Sequence, residues 1–256
     1  MRLEQVKKNF GGVTACRNVD FAVKRDSIVG LIGPNGAGKT TIFNLITGVY
    51  APTSGEILFE GQAIQGQRPD KIVAMGIART FQNIRLFKSL SVLDTVSVAV
   101  DRQVNYSLAS ALLHMPSVST AEARVREQAC EYLAFVGLED KMQARADSLP
   151  YGLQRKLEIA RAIALKPKLL LLDEPAAGMN PEESCELAGL IRKIHQHYKL
   201  TVLLIEHHMD VVMELSDRIV VLNFGEKLSE GTSREIQEDP VVLSAYLGEG
   251  YKHARG

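Results

Sequence analysis

The stretch Gly33-Pro34-Asn35-Gly36-Ala37-Gly38-Lys39-Thr40 spells G-x-x-x-x-G-K-[ST], and the residues around it decide the fold. Its glycines let consecutive backbone N–H groups turn toward one anion. Lys39 adds a positive charge, and the Thr40 hydroxyl can ligate Mg2+. A glycine turn ahead of a helix is common, but here the context is specific. Ser27-Ile28-Val29-Gly30-Leu31-Ile32 reads as a buried strand, and Thr41-Ile42-Phe43-Asn44-Leu45-Ile46 as an amphipathic helix. Strand, loop and helix in that order form a phosphate site at a helix N-terminus. Gly33, Pro34, Asn35, Gly36, Ala37, Gly38, Lys39, Thr40 and Thr41 are therefore the candidate residues for binding a nucleoside triphosphate such as ATP, and Lys39 is also a candidate catalytic residue.

Beyond this loop the chain returns repeatedly to the same α/β rhythm. Leu169-Leu170-Leu171-Leu172, Thr201-Val202-Leu203-Leu204-Ile205 and Arg218-Ile219-Val220-Val221-Leu222 are continuous apolar runs, as in strands of a parallel sheet covered on both faces. A helical pattern over Glu182–His197 separates the first two. Gly55–Gly61 reads as a short strand closed by turn residues. Between about 84 and 150 helix formers dominate, most clearly over Thr120–Val136. The expected organisation is one α/β core, 1–83 and 151–240, with a helical insertion at about 84–150 and a tail at 241–256 that frays from Tyr251 onward.

Composition narrows the functional classes. The 256 residues, 46% of them hydrophobic, suffice for one large domain with a lobe. Lys plus Arg equals 30 and Asp plus Glu equals 30, so no global positive field draws the chain to nucleic acid or to an anionic bilayer. Cys16, Cys130 and Cys185 are far apart and read as isolated thiols of a reducing compartment. The opening Met1-Arg2-Leu3-Glu4 offers no apolar signal region, and no apolar run approaches the roughly 18–20 residues of a membrane span. A membrane role would need another chain to supply the membrane.

Four further constellations carry chemistry. The run Leu169–Leu172 ends in Asp173-Glu174, two carboxylates at the edge where α/β sheets bind ligands. Asp173 is placed to hold Mg2+, and Glu174 to polarise an attacking water. After Thr201–Ile205 come Glu206-His207-His208; His207 is the candidate for contacting the γ-phosphate, and His208 reads as exposed. His114, His195, His197 and His253 read as ordinary loop histidines. Gln82, in Thr80-Phe81-Gln82-Asn83, offers a neutral amide oxygen to Mg2+. Finally, Ser148-Leu149-Pro150-Tyr151-Gly152-Leu153-Gln154-Arg155 leads into a helix over Lys156–Ala164. A helix N-terminus attracts anions, and Gly152 lets one approach the backbone. Ser148 as a plain N-cap with Pro150 in the first turn is the competing reading.

Together these motifs resemble the nucleotide-binding subunit of ATP-binding-cassette transporters. The order is Walker A at 33–40, Q-loop at Gln82, signature at 149–153, Walker B at 169–174 and switch histidine at His207. That family implies a P-loop ATPase core with a small antiparallel β subdomain and an inserted helical subdomain. It further implies that Phe10, in Phe10-Gly11-Gly12, stacks on adenine, unless it is simply a core aromatic of the first strand. Ala177, Gly178, Met179 and Asn180 would form the D-loop that faces a dimer partner, and Pro150, Tyr151, Gly152 and Leu153 would cap the partner's ATP. The segments Arg79–Phe87, Glu158–Arg161, Asp173–Pro181 and Ala245–Glu249 are similar to the longer of the two ATPase subunits of high-affinity branched-chain amino acid importers. That resemblance implies a second ATPase subunit, two integral-membrane permease subunits, a substrate-binding protein, and a peripheral location on the cytoplasmic face of the membrane. An importer of urea or short amides, or of another polar amino acid, is the alternative.

The chain departs from the family at the signature. Pro150 stands in place of the usual serine and Leu153 in place of the first glutamine. Pro150 lacks a hydroxyl and an N–H that would face the γ-phosphate, a loss of about 1.5–3 kcal/mol for a charge-assisted hydrogen bond. The expectation is a signature that still closes, but more weakly. His208 stands where relatives often carry an acid. A cassette ATPase acting on DNA or ribosomes would call for a long coiled-coil insertion, a second cassette or a basic surface, and the sequence has none of these. A catalytically dead regulatory module would not need Lys39, Asp173, Glu174 and His207 together.

Overall fold

The computed structural model describes residues 1–87, 89–102 and 116–253, and it folds as two compact units. The first comprises Met1–Arg79 and Lys168–Gly256, the second Thr80–Pro167. His114 lies outside the described residues.

In chain order the elements are β1 Arg2–Phe10, β2 Val13–Ala22, β3 Ile28–Ile32, α1 Lys39–Ile46, β4 Ser54–Phe59, β5 Gln62–Ala63, α2 Pro69–Ala74, β6 Ile77–Arg79, α3 Val92–Asp101, α4 Pro116–Phe135, α5 Tyr151–Ile163, β7 Leu169–Asp173, α6 Pro181–Tyr198, β8 Thr201–Ile205, α7 Met209–Leu215, β9 Arg218–Asn223, β10 Glu226–Gly231, α8 Ser233–Glu238 and α9 Pro240–His253.

The first unit contains two sheets. One is antiparallel, ordered β2-β1-β4-β5. The other is ordered β10-β9-β3-β8-β7-β6, parallel except where β10 pairs antiparallel with β9. Every residue of β3, β7 and β8 is buried, which is why they read as unbroken apolar runs. The period of two divides their side chains between two cores. Val29, Leu31, Val220 and Leu222 face one cluster, with Leu3, Val6, Phe21 and Ile57 of the antiparallel sheet and Phe43 and Ile46 of α1. Ile32, Ile219 and Val221 face the other, with Val212, Ile236 and Val242.

The second unit is helical in its described residues. Val92, Leu93, Val96 and Val100 of α3 are buried, as are Val125, Ala129 and Leu133 of α4 and Leu157 and Ile159 of α5; these three helices pack on one another. Ser91 caps α3 by accepting the Asp94 N–H at 3.0 Å. Helix α5 packs on α3 and α4 and so belongs to this unit, whereas the sequence placed residue 151 onward in the α/β core. Its amphipathic pattern fits a helical neighbour as well as a sheet, so periodicity alone does not assign it.

Three local expectations also change. The tail from Tyr251 is helical through His253 as the end of α9. His195 and His197 sit on α6 rather than in loops, with His195 Nδ1 2.7 Å from the Leu200 carbonyl. Ser148 closes a short 3-10 turn over Ala146–Ser148 and its hydroxyl donates to Arg145 O, while Pro150 is the residue flanking α5, so Ser148 is not the cap. Among the described residues no helix is long and apolar enough to cross a membrane.

Candidate active site

The phosphate loop joins β3 to α1, and its shape is set by backbone. Gly33 has φ +149° and Gly38 φ +101°. A Cβ at Gly38 would lie 2.7 Å from the Ala15 carbonyl oxygen, and one at Gly33 would run into the Leu222 carbonyl. Only glycine satisfies both the conformation and the space. The loop is braced from behind by the two-residue turn Phe224-Gly225 between β9 and β10. Gly225 N–H donates to Ala37 O at 3.1 Å, and Gly225 O accepts from Arg17 N–H at 2.7 Å. Both turn residues have positive φ, as tight hairpins require.

Lys39 is buried and folds back across the loop, its Nζ donating to Gly33 O at 2.6 Å and Pro34 O at 2.9 Å. Asn35, Gly36 and Thr40 are exposed, and Thr41 is half-buried. No side chain caps α1, whose first bond is donated by Ile42 to Gly38 O. The loop therefore presents an uncapped helix N-terminus beside a buried ammonium, which suits a polyphosphate.

Asp173 ends β7 and is only 4% exposed. Its Oδ2 accepts from Arg79 Nη2 at 2.6 Å, and Arg79 Nη1 donates to Asn44 Oδ1 at 2.7 Å. Arg79 also stacks over the Phe43 ring, 5.4 Å from its centroid. The last residue of β6 thus ties the Asp173 carboxylate to the helix that follows the phosphate loop.

Glu174 adopts φ +47°, unusual for a non-glycine residue and of the kind found where a side chain must be re-aimed. Its N–H donates to Ile205 O at 2.9 Å, and its Oε1 lies 3.0 Å from His207 Nε2. The structure therefore brings together the two residues that the sequence nominated separately. Both His207 and His208 are exposed; His208 flanks the start of α7 and makes no side-chain cap.

Glu206 organises the turn beside them. It is 1% exposed, and its carboxylate accepts three backbone N–H groups: Ala176 at 2.6 Å, His207 at 2.9 Å and His208 at 3.2 Å. Accepting several N–H groups stabilises a buried carboxylate. Sequence reading passed over Glu206 because a carboxylate between a strand and two histidines looks solvated. Arg79 went unnoticed because nothing in a linear pattern links position 79 to 173.

Ala177, Gly178, Met179 and Asn180 follow. Ala177 N–H donates to Glu174 O, Gly178 has φ +77°, and Met179 N–H donates to Ala176 O. Asn180 and Glu183 form a reciprocal capping box with Pro181 in the first turn of α6. This tight turn is thereby anchored at both ends.

Phe10 ends β1 and is 41% exposed, so it is not a core aromatic. It meets Tyr50 edge to face at 5.1 Å, and Lys8 Nζ lies 5.0 Å above the Phe10 ring. Cys16 packs behind the loop, its Sγ 4.0 Å from Gly38 O, and burial pushes its thiol up to about 12, so it stays protonated.

In the second unit Pro150 flanks α5 with φ −53° and ψ 151°, and no side chain caps the helix. Tyr151 and Gly152 open α5, Tyr151 is exposed, and Leu153 is half-buried. Gln154 Nε2 reaches back to Leu149 O at 2.8 Å. Gln82 is exposed, while its carbonyl accepts from Arg155 Nη2 at 2.8 Å.

This scaffold has counterparts among known proteins. Residues 16–177 match the family model described as "ABC transporter". The chain belongs to the ABC transporter family. Residues 226–252 also match the model for "Branched-chain amino acid ATP-binding cassette transporter". The chain is 46% identical over 240 residues to the high-affinity branched-chain amino acid transport ATP-binding protein LivG of Escherichia coli (strain K12), covering 94% of each. The ADP conformation of MJ1267, an ATP-binding cassette of an ABC transporter, superposes with TM-score 0.82 at 30% identity, covering 96% of this chain and 98% of that one. A dimeric post-hydrolysis state of the cassette MJ0796, bound to ADP and Pi, gives TM-score 0.76 at 25% identity over 91% and 98%. The ABC protein described here is accordingly an ATP-binding, ATP-hydrolysing cassette.

Proposed function

We propose that this cassette is the energy-coupling ATPase of an importer for branched-chain amino acids. The observation that carries the reading is the Glu174–His207 pair at 3.0 Å on the same unit as an intact phosphate loop, in a chain 46% identical to an importer's ATP-binding protein. A module that only bound nucleotide would not need that pair.

The residues divide the work as follows. Gly33, Pro34, Asn35, Gly36, Ala37, Gly38, Lys39, Thr40 and Thr41 hold the triphosphate, and Lys39 turns its ammonium from the Gly33 and Pro34 carbonyls toward phosphate oxygens. Phe10 stacks on adenine. Glu174 accepts a proton from the attacking water, and His207 orients Glu174 and the γ-phosphate. The donors available to a metal, the Thr40 hydroxyl, the Asp173 carboxylate and the Gln82 amide, are all hard oxygens, which fits Mg2+ bound with substrate phosphates. Mg2+ would supply charge neutralisation on the phosphates, sharing Asp173 with Arg79. Pro150, Tyr151, Gly152 and Leu153 cap the nucleotide of a second cassette, whose approach Ala177, Gly178, Met179 and Asn180 sense across the dimer. Two permease chains and a substrate-binding protein complete the assembly, and they place the cassette on the cytoplasmic face of the membrane.

The test is reconstitution with the neighbouring permease chains and binding protein. Leucine, isoleucine or valine should stimulate ATP hydrolysis, and Glu174→Gln should abolish it while keeping ATP bound. Stimulation by urea or a short amide alone would reassign the substrate, and full turnover in Glu174→Gln would refute the catalytic assignment.

A further inference from the structure

Three charged side chains on one face of α5 converge on the irregular segment that follows β6. Arg155 is fully buried. Its Nη1 donates to Phe81 O and to Glu158 Oε2, each at 2.7 Å, and its Nη2 donates to Gln82 O at 2.8 Å and to the Tyr151 hydroxyl at 3.0 Å. Glu158 Oε1 accepts the Phe81 N–H at 3.2 Å. One helical turn later Arg161 Nη1 donates to Arg85 O at 2.6 Å. Spacing of three along a helix puts positions 155, 158 and 161 on neighbouring turns of one face.

Residues 80–87 form no helix or strand, so the hydrogen bonds of Phe81, Gln82 and Arg85 to this helix replace those a ladder would supply. A fully buried ion pair is a poor device for stability, because apolar residues of similar volume usually serve as well. Arg155 Nε, moreover, is buried with no partner among the described residues, a further cost. Such a network is better suited to specifying geometry than to stabilising the lobe. The planar guanidinium, with its fixed fork of donors, can span two consecutive carbonyls and a carboxylate at once.

We propose that Arg155 and Glu158 are positioning residues that lock the backbone of Phe81 and Gln82 to α5, so that the Gln82 amide and the capping end Pro150–Gly152 are presented by one rigid element. Tyr151, in the first turn of that end, closes the network through its hydroxyl. A shift of the capping end therefore reaches the Gln82 carbonyl through a single guanidinium. The inference rests on the reading of Gln82 as a metal ligand, and it adds what aims that residue.

The test uses the full chain with Mg-ATP. Replacing both charges, Arg155→Met with Glu158→Met, removes the hydrogen bonds of these two side chains to Phe81 and Gln82 while refilling the volume. Arg155→Lys, which cannot bridge both carbonyls, serves as the second variant if the first does not fold. Amide exchange over residues 81–86 should quicken about ten-fold or more. The kcat should fall about ten-fold or more with KM for ATP unchanged, as when a reacting group is misplaced. Adding Gln82→Ala to either variant should then lower kcat by less than about two-fold further, because the two changes act on one pathway. Full additivity of the two effects would overturn the inference and leave the Gln82 reading standing. An unchanged kcat in Gln82→Ala alone would remove the Gln82 reading and, with it, the functional half of the inference. A fall in melting temperature with unaltered loop exchange and unaltered kcat of the folded protein would reduce Arg155 to a structural residue.

Discussion

The phosphate loop and the capping turn are both glycine-bearing entries into a helix, yet they are built on different principles. In the phosphate loop the conformation resides in the backbone. Gly33 and Gly38 take positive φ, their missing Cβ atoms leave room for the Leu222 and Ala15 carbonyls, and Gly225 braces Ala37 from behind. In the capping turn no positive φ is found, Gly152 is an ordinary helical residue, and the surroundings are held by the side chains of Gln154 and Arg155. The first kind of site does not tolerate change without refolding. The second lacks a hydroxyl and an N–H at Pro150 and still forms its helix.

Four perturbations break or sharpen that contrast. The largest effect on turnover is expected for Glu174→Gln, which should lower ATP hydrolysis about 100-fold or more, the usual worth of a general base, while leaving nucleotide affinity intact in an equilibrium titration. Next, Arg79→Met breaks the buried Arg79–Asp173 pair and should cost about 3–5 kcal/mol in chemical denaturation, as breaking a buried pair does. Gly33→Ala adds a Cβ where none fits and should cost about 3 kcal/mol or more by the same measurement. Gly152→Ala, by comparison, should stabilise α5 by about 0.5–1 kcal/mol and yet reduce turnover, since helix propensity rises while anion approach is obstructed. Equal folding penalties for Gly33→Ala and Gly152→Ala would erase the distinction between the two sites.

Much of this architecture is legible in the chain. Buried parallel strands announce themselves as apolar runs, and β3, β7, β8 and β9 fall where those runs lie because both sheet faces are covered. The phosphate loop, Asp173, Glu174 and His207 are legible because they sit at fixed offsets from such strands. Arg79, Glu206 and the Arg155–Glu158 pair are not. Each works by reaching a group 30 to 94 residues away, and no local periodicity encodes a distant carbonyl or carboxylate. One cue was present: charged residues at 155 and 158 interrupt the buried side of an otherwise amphipathic helix, and buried charge requires a partner. The unit to which α5 belongs was likewise hidden, because its apolar face records that it is covered but not by what.

The central proposal is that the phosphate-binding half of the site is complete and that Pro150 weakens the half that would cap a partner's nucleotide. Pro150→Ser tests it most directly, because serine restores both the N–H and a hydroxyl able to cap α5 and face a phosphate. With Mg-ATP and the assembled transporter, turnover should rise about ten- to hundred-fold, the equivalent of a charge-assisted hydrogen bond regained, while ATP affinity of the isolated chain stays the same. Unchanged turnover in Pro150→Ser would contradict the account.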